Sequence, residues 1–156
     1  YKVIEYFGDD VRRINHFLKV YGYVKMIGEC ENLDDSMQEI LEVTAVLHDV
    51  GIKVAEQKYN SSAGHYQQLE GPPVAKKILD ELGYPDDFVE RVMYLIAHHH
   101  TYTNIDGMDY QILVEADFLV NADEDRLSSD AIENFKEKIF KTTTGIAVLE
   151  NNYLNL

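Results

Sequence analysis

Apolar residues along this chain return every third or fourth position, and nowhere do they alternate long enough to build a dependable strand. Val11, Ile14, Phe17, Leu18, Tyr21 and Val24 form one such stripe and predict an amphipathic helix over roughly residues 9–27. Ser36, with Glu39 three residues later, reads as a capping box that opens a second helix. From Ile40 to Leu47 that helix is apolar nearly all round, which places it inside the core, and Gly51 is expected to end it. Residues 54–71 are rich in Gln, Ser and Asn and read as a loop leading into Gly71-Pro72-Pro73. Further helices are expected from Pro73 to Leu82, from Pro85 into His98-His99-His100, from Asp109 to Ala122, and from a Ser129 cap through Ile139. The expectation is an all-α protein: a single compact domain over residues 1–156, a bundle of about six or seven helices.

With 156 residues, 46% of them hydrophobic, the chain is long enough for one core and too apolar to be disordered. No apolar run nears the roughly 20 residues that cross a bilayer, and the first ten residues lack the pattern of a signal peptide. A single cysteine, Cys30, cannot form an internal disulfide, so a cytoplasmic location is expected. The formal net charge is −14, which disfavours a nucleic-acid polymer or a membrane surface as partner. A small phosphorylated substrate stays open, because a bound metal can supply the local positive charge that the chain lacks. The Tyr- and Leu-rich C-terminal helices would suit pairing as a homodimer.

Asp117 raises the chemical question. It sits within Ile112-Leu113-Val114-Glu115-Ala116-Asp117-Phe118-Leu119-Val120, and an ionised carboxylate in such a helix is costly unless paired, hydrogen-bonded or bound to a metal. His48-Asp49 poses the same question after Ala45-Val46-Leu47. Imidazole and carboxylate together suit divalent transition metals. Neighbours on a helix point about 100° apart, so His48 and Asp49 share one ion only near a helix end; alternatively, Asp49 bridges two ions while His48 binds one.

The order of these residues resembles the HD superfamily of metal-dependent phosphohydrolases. The resemblance runs through Arg13-Ile14-Asn15-His16, then Leu47-His48-Asp49-Val50-Gly51-Ile52-Lys53, then His65 ahead of Val74-Ala75-Lys76-Lys77-Ile78-Leu79, then Ile96-Ala97-His98-His99, and Glu115-Ala116-Asp117. It implies that His16, His48, Asp49 and Asp117 hold a first metal. His65 with His98 and His99 would match the extra ligands of two-metal members, Asp49 bridging. Register from Val92 and Ile96 favours His99 over His98 and leaves His100 nearer the loop, facing solvent or substrate. The implied cofactor is one or two divalent ions: iron, manganese, cobalt, zinc, nickel or magnesium. The implied reaction is attack of metal-activated water on the phosphorus of a nucleotide or other small phosphorylated metabolite, as phosphatase or phosphodiesterase.

Asp49 and Lys53 are the expected catalytic residues. Arg13 and Lys53, with Arg12 and Lys58, lie near the ligands in sequence and are the expected phosphate contacts. One departure weakens Lys53: many relatives place Lys directly after the Gly that follows His-Asp, and here Ile52 intervenes. Asp123, Glu124 and Asp125 read as a solvated helix end in preference to a supporting role behind the metal ligands, and Gly64 as too isolated to mark a loop of function. Two other readings fit the same pattern. A di-iron oxygenase of similar fold would need the full set including His65 and His99, and a non-catalytic ligand-sensing domain would lack one of the four principal ligands.

Overall fold

A computed structural model describes residues 1–155. Among them the chain forms α1 (Lys2–Phe7), α2 (Val11–Cys30), α3 (Asp35–Leu47), α4 (Gly51–Tyr59), α5 (Gly64–Leu82), α6 (Asp86–His98), α7 (Met108–Glu124), α8 (Ser129–Ile139) and α9 (Thr143–Leu149), then a π-helical turn at Glu150–Leu154, with no strand. The helix count exceeds the expected bundle because α1, α4 and α9 are short, and short helices carry too few apolar positions for a periodic stripe.

Local capping explains most of the boundaries. Asp10 accepts the Arg13 backbone N–H at 3.2 Å and starts α2. Asp34, not Ser36, caps α3, accepting the Met37 N–H at 3.0 Å, and Ser128, not Ser129, caps α8. Gly83 closes α5 with a left-handed φ of 80°.

Two packed clusters make the core. One joins Val20, Val24 and Ile27 of α2 to Leu41 and Ala45 of α3, most of α7, and Ile132, Phe140 and Leu149 beyond it. The other joins α1 through Val3 and Phe7 to Phe17, Leu47, Val50, Ala75, Leu79, Val92 and Ile96. α2 and α3 contribute to both, and the polar residues of interest lie on α2, on α7 and just past the ends of α3 and α6.

Of the expected loop over residues 54–71 only 60–63 lies outside a helix; the remainder is the rest of α4 and the start of α5, and Gly51 opens a helix rather than ending one. The reason is close packing, not turn geometry. A Cβ on Gly51 would stand 2.6 Å from both the Gln67 carbonyl oxygen and the Gly71 amide nitrogen, so glycine lets α4 lie against α5. Pro72 and Pro73 lie inside α5, where each withholds an N–H from the carbonyl four residues back. Gly51→Ala is therefore expected to force these backbones apart and to cost about 1–3 kcal/mol, read as a lower urea midpoint at unchanged slope.

Candidate metal centre

His48 and Asp49 follow the last turn of α3, where the backbone turns into α4, so they escape the 100° divergence of neighbours on one helix. His16 faces them from α2 and Asp117 from α7. The His16 and His48 Nε2 atoms stand 3.3 Å apart. Asp117 Oδ1 lies 3.1 Å from His16 Nε2 and 3.5 Å from His48 Nε2, and Asp49 Oδ2 lies 3.5 Å from each. Two ligands sharing an ion with bonds of about 2.1 Å stand roughly 3.0–3.4 Å apart, so this spacing suits a coordination shell.

The other ring nitrogens decide the tautomers. His48 Nδ1 donates to the Ala45 carbonyl at 2.7 Å, His99 Nδ1 to the Ile96 carbonyl at 2.7 Å, and His16 Nδ1 to the Glu124 carboxylate at 2.9 Å. Each Nε2 is thereby turned inward as a lone-pair donor, the arrangement in which imidazoles bind metals. His99 Nε2 is buried with no hydrogen-bond partner, which is rare for a polar atom inside a protein and fits a coordination site.

Charge reinforces this fit. Burial disfavours a charged His48, yet Asp49 and Asp117 overcome it and raise its pKa to about 9. Burial also opposes ionisation of Asp49, and His48 and His99 still pull its pKa down to about 2. Asp117 is held well below the usual carboxylate range by His16 and His48 despite its burial. Without a metal, two buried carboxylates keep a proton on His48; the same negative field would hold a cation.

A second group adjoins the first. Asp49, His99 and His100 cluster closely enough to share an ion, with Asp49 Oδ1 3.7 Å from His99 Nε2. Asp49 thus turns one oxygen to each group. His100 is held by its backbone N–H donating to Gln68 Oε1 and its ring Nε2 to Gln67 Oε1, both at 3.0 Å. Burial and neighbouring His99 lower its pKa to about 4, so it stays neutral. Gly64 makes room for that ring, since a Cβ there would stand 2.9 Å from it. Both groups open into a cavity of about 510 Å³ whose rim includes Arg12, Arg13, Gln67, Asn121 and Asp125.

A helical domain with a buried His/Asp cluster under an open cavity defines a class of proteins with a candidate metal centre. Comparison with known families makes this specific: the HD domain model matches residues 13–134, and the chain belongs to that family. Among solved structures it resembles a predicted HD superfamily hydrolase from an uncultured Thermotogales bacterium, with 25% identity and a TM-score of 0.67 over 96% of this chain and 79% of that one. A comparison with curated proteins gives no match.

Several expected residues lie elsewhere. His65, exposed on the first turn of α5, stacks on Tyr66 and joins neither group. His98 ends α6 with its Nδ1 donating to the Tyr94 carbonyl at 2.7 Å and its ring against Tyr94, away from both groups. The chain then turns, the Thr101 N–H reaching the His98 carbonyl at 2.7 Å, and this swings His99 and His100 inward. Lys53 is exposed on α4 and donates to the Tyr6 carbonyl at 2.9 Å; Ile52 lines the cavity in its place. Lys58 is bound to Glu70 at 2.8 Å, outside the cavity lining. Arg13 does line the cavity, pinned at 2.6 Å to both Asp10 and Glu56, and Arg12 lies beside it.

Glu124 and Asp125, read from the sequence as part of a solvated helix end, and Asn121, which the sequence reading passed over, all line the cavity. Their spacing of four and seven or eight residues from Asp117, along one helix face, was the available signal. Because Lys53 points to Tyr6, Lys53→Met is expected to leave metal binding and turnover within about twofold and stability within about 1 kcal/mol, checked by steady-state kinetics and urea unfolding.

Proposed function

We propose that this protein is a metal-dependent phosphohydrolase of small phosphorylated metabolites. His16, His48, Asp49 and Asp117 would hold one divalent ion, and Asp49, His99 and His100 a second. The observation that carries this reading is the convergence of three Nε2 lone pairs and two carboxylates at the floor of an open cavity, with His99 Nε2 otherwise unpartnered. A bound ion would supply an acidified water and a clamp for a phosphoryl oxygen.

The chain's own residues do the rest. Asp49 orients the reacting face by turning one oxygen toward each group. Arg13, already fixed by Asp10 and Glu56, presents its guanidinium to a phosphoryl group with little ordering cost, and Arg12 adds a second positive charge. Gln67 and Asn121 offer amides to the rest of the substrate. Asp125 on the same rim repels heavily charged ligands, which favours a compact phosphomonoester over a polyphosphate. The oxygenase reading loses support because His65, which it needed, is exposed outside the cluster.

The deciding experiment uses protein without a histidine tag, stripped and reloaded with iron(II), manganese, cobalt or zinc. Phosphate release is measured from nucleotides and simple phosphomonoesters. Metal-dependent release is expected. Two bound equivalents with oxygen consumption and no hydrolysis would favour the oxygenase, and no stoichiometric metal would leave a helical ligand-sensing domain.

A further inference from the structure

We infer that Glu124 is a positioning residue of the metal centre: by accepting the His16 Nδ1–H, its carboxylate determines which nitrogen of His16 faces the ion. This rests on the metal-centre reading above and concerns one atom pair within it.

The three inward-facing imidazoles solve the same problem in two ways. His48 and His99 sit at the C-caps of α3 and α6, and each donates its Nδ1–H to a carbonyl three residues back, Ala45 and Ile96 respectively. Such carbonyls are available because the last turn of a helix leaves its acceptors without intrahelical donors. His16 has no such option. It lies in the interior of α2 (Val11–Cys30), where backbone N–H groups already occupy the carbonyls of the preceding turn. An acceptor must come from another element, and Glu124 supplies it with Oε2 at 2.9 Å from His16 Nδ1. Its other oxygen, Oε1, is held at 3.0 Å by Lys19 Nζ, one turn beyond His16 on α2.

Helix energetics offer no competing reason for this acid. Glu124 is the last residue of α7, preceded by Asp123 and capped by Asp125, with no basic residue in that turn. The C-terminal end of a helix carries partial negative charge and disfavours carboxylates. The acid sits where its own helix is penalised and where its reach to His16 is of use. One helix therefore faces His16 at both nitrogens, with Glu124 accepting the Nδ1–H and Asp117 Oδ1 standing 3.1 Å from the inward Nε2 as a fellow ligand. Deleting Glu124 would free the ring to rotate and to populate the wrong tautomer, which weakens the ion without touching a ligand.

The test measures Co(II) affinity by chelator competition, together with the visible absorption of the Co(II) protein. The variants are Glu124→Ala, Glu124→Gln and, as a control, Lys19→Met. Glu124→Ala is expected to weaken Co(II) about 10–100-fold and to alter the absorption. Glu124→Gln keeps the shape and a neutral acceptor, so an intermediate loss is expected, and it decides the matter if the alanine variant does not fold. Lys19→Met removes the ion pair at Glu124 Oε1 but leaves the Oε2 bond to His16, and is expected to change affinity by less than about fivefold. Glutamate variants within about fivefold of the unaltered protein, with the same absorption, would overturn the inference while leaving the metal centre standing. An unaltered protein that fails to bind Co(II) would overturn both.

Discussion

Asp49→Ala is expected to abolish hydrolysis and to weaken metal binding by more than about 100-fold, beyond the loss typical of an outer-shell partner. The size of the effect follows from where its two oxygens point. Oδ2 lies 3.5 Å from both His16 and His48 Nε2, and Oδ1 lies 3.7 Å from His99 Nε2. Among the described residues it alone belongs to both His/Asp groups, so its loss opens both at once. Asp49→Asn should do nearly the same, because an amide keeps the shape but gives up the charge that offsets a divalent cation. The fold should survive. Without the Asp49 charge, Asp117 still faces the His48 ring, and the His48 Nδ1 bond to Ala45 is unaffected. The measurements are bound metal per chain, phosphate release, and circular dichroism of the metal-free variant. An alanine variant that still carries two ions per chain would show that the ions lie elsewhere.

Asp117 and His48-Asp49 were legible because each placed a polar group in a run that had to be buried, and burial demands a partner. The structure places those partners together, with His16 between them. His65 and His98 misled because a histidine's order in sequence says nothing about its azimuth. His65 falls on the outer face of a helix that starts at Gly64, and His98 is the last residue of α6, its ring turned back along that helix. A one-residue difference in where α6 ends exchanges His98 for His100. Lys53 failed for the related reason that Ile52, inserted ahead of it, takes the position facing the cavity. α4 and the start of α5 were hidden because their helical packing depends on the contact between Gly51 and Gly71, a tertiary feature that composition reads as a loop. Glu124 was read as a solvated end, since an acid at a helix terminus looks ordinary until the histidine opposite is visible.

Metal removal is expected to destabilise the protein, and increasingly so as the pH rises from about 6 to 9. In the metal-free protein Asp49 and Asp117 raise the His48 pKa to about 9, above the ordinary imidazole value of about 6.5. Its raised pKa means that the folded state binds a proton more tightly than the unfolded chain. That contribution is complete below about pH 6.5 and is lost as the pH rises through 9; for His48 by itself it is on the order of 3 kcal/mol. Asp49 acts with the opposite sign. Its pKa, lowered to about 2, contributes stability above about pH 4 that disappears only as the pH falls through 2, so it is constant across this window. The loaded protein should behave differently. Imidazoles bind metal in the neutral form, so affinity increases as the proton leaves. At free metal of about 1,000 times Kd, binding adds about 4 kcal/mol, or roughly 8–16 °C in Tm for a domain of this size. The gap between manganese-loaded and chelator-treated protein should therefore widen with pH, because the proton and the ion compete for His48 and the apparent Kd falls as the proton leaves. Calorimetry at pH 6, 7.5 and 9 reads both. A metal-free Tm that climbs over this range, or a gap that stays constant, would mean that the proton on His48 and the ion do not compete for one site.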